Sequence, residues 1–169
     1  KGFTQTSEKL GAEELVDEIN TCFEIFDKIC QKYNIEKIKT IGDSYMAAGG
    51  LPVPSEESVK NTVLVGIEMS ESMNKLKQKR KSEGKSFFEM RVGIHTGAVI
   101  AGIVGTTKFQ YDIWGDSVNI ASRMETSGEV GKVNISKETY GIIHDDPDFN
   151  FHERGKVSTK GKGEMEMWF

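Results

Sequence analysis

Apolar residues recur at intervals of three and four along Leu15, Ile19, Cys22, Phe23, Phe26, Ile29 and Cys30, with acidic residues between them. That period predicts a helix over Ala12–Tyr33 with one face turned to a core. A switch to strand-like segments follows, Ile35–Ile41 and Ser44–Ala48, flanking the turn pair Gly42-Asp43, which predicts a hairpin. In Ile38-Lys39-Thr40-Ile41, alternation puts Lys39 on the face opposite Ile38 and Thr40. Gly49-Gly50-Leu51-Pro52 closes the hairpin, and Ser55-Glu56-Glu57 opens a second helix. It runs to about Lys79 through Val59, Val63, Ile67, Met69, Met73 and Leu76.

Phe87–Ile94 alternates and reads as a strand, His95-Thr96-Gly97 as a turn, and Ala98–Val104 as a glycine-containing strand. Tyr111–Trp114 is rich in strand formers; Gly115 breaks it, and Asp116-Ser117 offer helix N-caps. Val118, Ala121 and Met124 then form one helical face, ended by Ser127-Gly128. Val133-Asn134-Ile135 is a short strand, and Ser136 caps a helix to Ile143. Phe149–Arg154 and Glu164–Phe169 read as strands around a loop over Gly155–Gly163. With one strand expected ahead of Lys1, the order is a ferredoxin-like βαββαβ core with additional C-terminal strands and helix, in the α+β class. A chain of 169 residues fits a single domain spanning 1–169, trimmed at both ends.

Composition narrows the function classes. A net charge of −4 argues against a nucleic-acid partner. No apolar run is long enough to span a bilayer, and no signal peptide is visible, so a cytoplasmic location is expected. Cys22 and Cys30 lie eight apart on one predicted helix, about 12 Å of rise, and read as buried thiols rather than a disulfide. His95, His144 and His152 are scattered, which excludes a zinc-type cluster, and His95 reads as a packed core histidine. Asn134-Ile135-Ser136 fits a glycosylation sequon, but that context argues against its use.

Chemistry concentrates in a few places. Asn119 and Arg123 are four apart on the helix after Gly115, so an amide and a guanidinium project side by side, a grip for a phosphate. The competing reading pairs Arg123 with Glu125 or Asp116. Asp43 sits at a hairpin tip, where a carboxylate suits magnesium, although a plain turn aspartate is the alternative. Lys160-Gly161-Lys162-Gly163 suits close approach to phosphate or forms an ordinary solvated loop. Gly2-Phe3-Thr4 is a turn whose following helix start could offer free N–H groups.

Lys37–Met46, Tyr111–Glu125 and Lys160–Gly163, in this order along the chain, resemble three motifs of class III adenylyl/guanylyl cyclase catalytic domains. The similarity covers essentially the whole chain. It implies conversion of a nucleoside triphosphate to the 3′,5′-cyclic monophosphate and pyrophosphate, with two Mg²⁺ ions per site for which Mn²⁺ substitutes. Asp43 would be one metal ligand; the second aspartate would stand two residues before Lys1. Asn119 would position the ribose and Arg123 would stabilise charge at the α-phosphate. Gly2, Phe3 and Thr4 would hold the triphosphate, and Lys160, with Lys162 as the alternative, would contact the distal phosphates.

The resemblance also bears on the base. In the family, the positions of Lys39 and Asp112 read the purine. Members using guanine carry glutamate where Lys39 stands and a small or thiol residue where Asp112 stands, so this chain matches the adenylyl type and ATP is the expected substrate. Both halves of a composite site are present in one chain, which implies a homodimer with two equivalent sites. Regulatory domains would lie elsewhere in the full-length protein. A guanylyl cyclase, and a non-catalytic dimerising cyclase-like regulatory domain, are the competing readings.

Overall fold

The computed structural model describes residues 10–169. Helix α1 spans Ala12–Lys32 and leads into the antiparallel hairpin of β1 (Glu36–Ile41) and β2 (Ser44–Ala48). Helix α2 spans Ser58–Ser82, followed by β3 (Val92–Ile94), β4 (Ile100–Val104) and β5 (Gln110–Trp114). Then come α3 (Asp116–Thr126), β6 (Val133–Ser136), α4 (Lys137–Ile143), β7 (Glu153–Thr159) and β8 (Gly163–Trp168). Among the described residues the strands form two hairpins, β1-β2 and β4-β5, and a four-stranded sheet ordered β3-β6-β8-β7. β3 and β6 run parallel, while β8 is antiparallel to both β6 and β7. This is the expected α+β class.

Two apolar clusters hold the layers together. Cys22, Phe26, Ile29 and Cys30 from α1 meet Ile35 and, from α2, Val65, Met69 and Met73. Complete burial of a side chain of this size contributes about 1.5–3 kcal/mol, so this helix–helix seam dominates the N-terminal half. The second cluster joins Val63, Ile94, Ile135, Ile143 and Trp168, with Tyr140 stacked on Trp168 at 4.3 Å between ring centroids. Both cysteines are buried free thiols, and burial pushes the Cys22 thiol up to about 11. Asn134 is fully buried, so its sequon is inaccessible.

Several boundaries differ from the sequence expectation for reasons of pairing. The strand expected over Phe87–Ile94 is a ladder only from Val92, because Val92 pairs with Val133, the first residue of β6. Phe88 and Met90 instead pack against the first cluster. Residues 155–159, expected as loop, belong to β7, where the register shifts between Glu153 and Gly155 and Gly155 takes φ +69°. That bulge lets a polar strand, Lys156-Val157-Ser158-Thr159, continue pairing with β8. Phe149 and Phe151, expected in the strand, pack from outside it on the second cluster. Helix α2 starts at Ser58, not Ser55, because Ser55 forms a turn whose carbonyl accepts the Ser58 N–H.

Gly115 (φ +140°) stands at the N-cap of α3, and neither Asp116 nor Ser117 caps it. Ser117 Oγ donates to Ala98 O at 2.7 Å instead. Its C-terminal half lies backbone to backbone on β3, where a Cβ on Gly93 would overlap Met124 and Glu125 main-chain atoms. Gly93→Ala should therefore destabilise the domain by about 3 kcal/mol or more, above the usual overpacking cost because main chain rather than a movable side chain is in the way. Urea unfolding measures this; a loss under 1 kcal/mol would mean that α3 does not sit so close.

Candidate active site

The β1–β2 hairpin brings two of the expected residues to one region. Lys39 Nζ donates to Asp112 Oδ2 at 2.5 Å, joining β1 to β5 across 73 positions of sequence. Asp112 is largely buried, and its Oδ1 accepts the Ile113 N–H at 2.8 Å. The hydrogen bond from Lys39 holds the Asp112 carboxyl below its ordinary range. A register shift between Lys37 and Lys39 sets Lys39 opposite Met46. The hairpin is anchored to α1: Tyr45 OH donates to Asp27 Oδ1 at 2.7 Å and Lys37 Nζ to Asp27 Oδ2 at 2.9 Å. Burial alone would raise the Asp27 carboxyl, but these two donors outweigh it and keep it low.

Asp43 is exposed in the turn between β1 and β2, with no hydrogen-bond or ion-pair partner among the described residues. No group of three or more potential metal-ligating side chains occurs among them. Magnesium characteristically takes only one or two carboxylates and fills its remaining positions with phosphate oxygens and water. An unpartnered carboxylate at a solvent-facing tip fits that ion and does not fit an all-protein metal cage.

Helix α3 carries Asn119, exposed, and Arg123, half-buried. Both carboxylates that could have neutralised Arg123 are engaged elsewhere. Glu125 accepts from Arg91 Nε and Nη2 at 2.9 Å, and Asp116 accepts from Lys162 Nζ at 2.5 and 2.7 Å. Among the described residues no carboxylate pairs with Arg123. The same Asp116–Lys162 pair occupies the lysine considered as the alternative phosphate contact, while Lys160 is exposed beside it without an ion-pair partner among the described residues. Gly2, Phe3 and Thr4 lie outside the described residues.

His95 is a core residue, its Nδ1 2.8 Å from Ser136 Oγ. Burial pulls its pKa down, against the nearby Glu138 and Asp116 carboxylates. The Asp116–Lys162 tether and the Tyr45–Asp27 anchor are not visible in sequence, since each joins residues that are distant in the chain. No helix among the described residues is long and apolar enough to cross a membrane.

Comparison with known proteins adds to this geometry. Residues 1–169 match the model of the adenylate and guanylate cyclase catalytic domain. An adenylate cyclase of Mycobacterium tuberculosis is 37% identical over 168 residues, 99% of this chain and 37% of that protein. The chain thus spans little more than a third of that relative's length. The crystal structure of the adenylyl cyclase CyaB from P. aeruginosa matches at TM-score 0.91 and 34% identity, covering 99% of this chain and 87% of that one. The guanylate cyclase domain of RhGC from Catenaria anguillulae, in complex with GTP, matches at TM-score 0.87 and 27% identity, covering 99% and 89%.

The ion pair sets a pH dependence. A carboxyl whose folded pKa is lowered contributes stability above its unfolded value, here near 3.8, and loses it as pH falls through the folded value. In Lys39→Met the Asp112 carboxyl should titrate at higher pH than in the wild type, read by side-chain carboxyl NMR. Identical titration in both proteins would mean that Lys39 does not hold Asp112 in solution.

Proposed function

The chain belongs to the adenylate and guanylate cyclase catalytic-domain family, and we propose that it converts ATP to 3′,5′-cyclic AMP and pyrophosphate in a homodimer whose sites lie between the two copies. The carrying observation is the Lys39–Asp112 pair. It holds a strong donor beside a strong acceptor on one edge. Adenine offers a ring-nitrogen acceptor beside an exocyclic amino donor, the complementary order. Guanine offers a carbonyl oxygen and an N–H in the inverted order, which would set Asp112 against the carbonyl. The 37% identity to an adenylate cyclase supports the same reading.

In this reading Asn119 orients the ribose so that its 3′-hydroxyl lies in line with the α-phosphorus. The new O–P bond forms as the bond to pyrophosphate breaks and the hydroxyl proton is lost. Arg123, free of carboxylates, stabilises the negative charge that grows on the α-phosphate oxygens. Lys160 contacts the distal phosphates, and the Gly2-Phe3-Thr4 turn offers N–H groups to the same end. Asp43 would hold Mg²⁺ or Mn²⁺, together with an aspartate expected before Lys1, and a bound ion would supply Lewis acidity for the phosphoryl transfer.

Dimerisation is supported by the surface around the β4–β5 hairpin. Ile100 is 73% exposed, Ile103 68% and Phe109 77%, a concentration of large apolar side chains that an isolated copy leaves in water. If the sites are shared, Asp43→Ala and Arg123→Ala should each be nearly inactive. Mixed dimers of the two should regain activity, because one of their two sites contains no substitution. Verified mixed dimers without any recovery would place the whole site within one chain.

Base selection is tested by exchanging donor and acceptor. Lys39→Glu with Asp112→Cys should move preference from ATP toward GTP, measured as the ratio of kcat/KM for the two nucleotides. Each unpaired buried polar group costs about 1–3 kcal/mol, so the ratio should change by roughly a hundredfold. A wild type that prefers GTP, or an unchanged ratio in an active double mutant, would overturn the adenine reading.

A further inference from the structure

Helix α3, which carries Asn119 and Arg123, ends in a set of side-chain donors that come from three different strands or their flanks. Of its terminal carbonyls, those of Arg123 and Glu125 accept the Ser127 and Gly128 N–H groups, and those of Met124 and Thr126 need donors from elsewhere. Asn134 of β6, fully buried, donates through Nδ2 to Met124 O at 2.8 Å. Arg154 of β7 donates through Nη1 to Ser127 O at 2.9 Å and to Asn134 Oδ1 at 3.0 Å. Arg91, just before β3, reaches Glu125 Oε1 and lies 3.4 Å from Thr126 O.

The arrangement is over-determined. The Asn134 amide also lies 3.2 Å from Met167 Sδ, and the Arg154 guanidinium stacks 4.2 Å from the centroid of Phe169. A Cβ on Gly128 would come 3.4 Å from Asn134 Cβ, so the chain leaving α3 packs tightly on the same asparagine. The carbonyl that Asn134 holds belongs to the residue next to Arg123. A rigid helix of eleven residues transmits any tilt or slide at this end to Asn119 and Arg123. Two cationic guanidiniums at the negative end of the helix dipole add to the hold.

We infer that Asn134, with Arg154 bound to it, is a positioning residue for catalysis: it sets the axial position of α3 and thereby aims Arg123 and Asn119 at the reacting phosphate and ribose. Neither Asn134 nor Arg154 touches the nucleotide in this account. The inference rests on the roles proposed above for Arg123 and Asn119. A misplacement of about 1 Å in a catalytic group typically lowers rate on the order of a hundredfold, which exceeds what loss of one buried hydrogen bond does to the folded fraction of a stable domain.

Asn134→Asp keeps the size and the acceptor for Arg154 but replaces the donor to Met124 O with an oxygen. It should lower kcat about tenfold or more while KM for ATP changes less than threefold, at a temperature where circular dichroism shows the protein folded. Arg154→Met keeps an apolar stem but removes the guanidinium, with its donors and its stack on Phe169, and should give the same split; it carries the test alone if Asn134→Asp does not fold. The deciding measurement is a double-mutant cycle on kcat with Arg123→Ala. If Asn134 acts by aiming Arg123, its substitution should cost several-fold less once Arg123 is gone, the remainder being what it does through Asn119, since coupled sites are non-additive. A folded Asn134→Asp or Arg154→Met protein with wild-type kcat would overturn the inference, as would an undiminished loss in the Arg123→Ala background. Arg123→Ala with normal kcat would instead overturn the role proposed for Arg123 itself, and the inference with it.

Discussion

The contact on which this architecture turns is the seating of α3 against β3. Gly93 lets helix backbone touch strand backbone, and no residue with a side chain fits there without moving one of them. The roles proposed for Asn119 and Arg123 hang from that helix. β5 enters it through Gly115, β6 leaves it toward the second apolar cluster, and the amide of Asn134 ties its last turn to the sheet. Because a sheet is stiff and the helix is short, little freedom remains between the core and the side chains of Asn119 and Arg123.

Charge is distributed around α3 with the same consequence. The helix contains two acidic side chains, Asp116 and Glu125, and each is neutralised by a cation from another element, Lys162 and Arg91. A guanidinium with no nearby carboxylate keeps its affinity for an anion from solvent, whereas one already paired must first exchange its partner. The pairing pattern leaves Arg123 and Lys160 without a carboxylate partner among the described residues. Lys39 and Asp112 form the opposite case. They satisfy each other in the absence of a base, so neither is left as an uncompensated charge in a partly buried place.

The helices were legible from the chain because amphipathic period is a local property. Ala12–Lys32 follows the spacing from Leu15 to Cys30, and the β1–β2 hairpin follows from Gly42-Asp43 between two strand-forming runs. Strand limits were less legible, since a ladder needs a partner whose length no local pattern reports. β3 begins where β6 begins, and β7 runs past Gly155 only because β8 lies beside it and a bulge absorbs the register shift. The two helix caps expected at Asp116 and Ser117 failed for a related reason: a lysine 46 positions away and a carbonyl 19 positions away compete for those side chains.

The sequence alone determined the helix periods, the glycine-dependent turns and, through three ordered motifs, the resemblance to a cyclase domain. Those signals are written in near neighbours or in residue types. The tertiary structure alone decided which charges cancel. It joined Lys39 to Asp112, paired Lys162 with Asp116 and Glu125 with Arg91, and placed Asn134 and Arg154 behind the helix of Arg123. Each of these is a contact between residues tens of positions apart. Such contacts exist only after the apolar clusters have closed the chain on itself, so no pattern of neighbouring residues carries them.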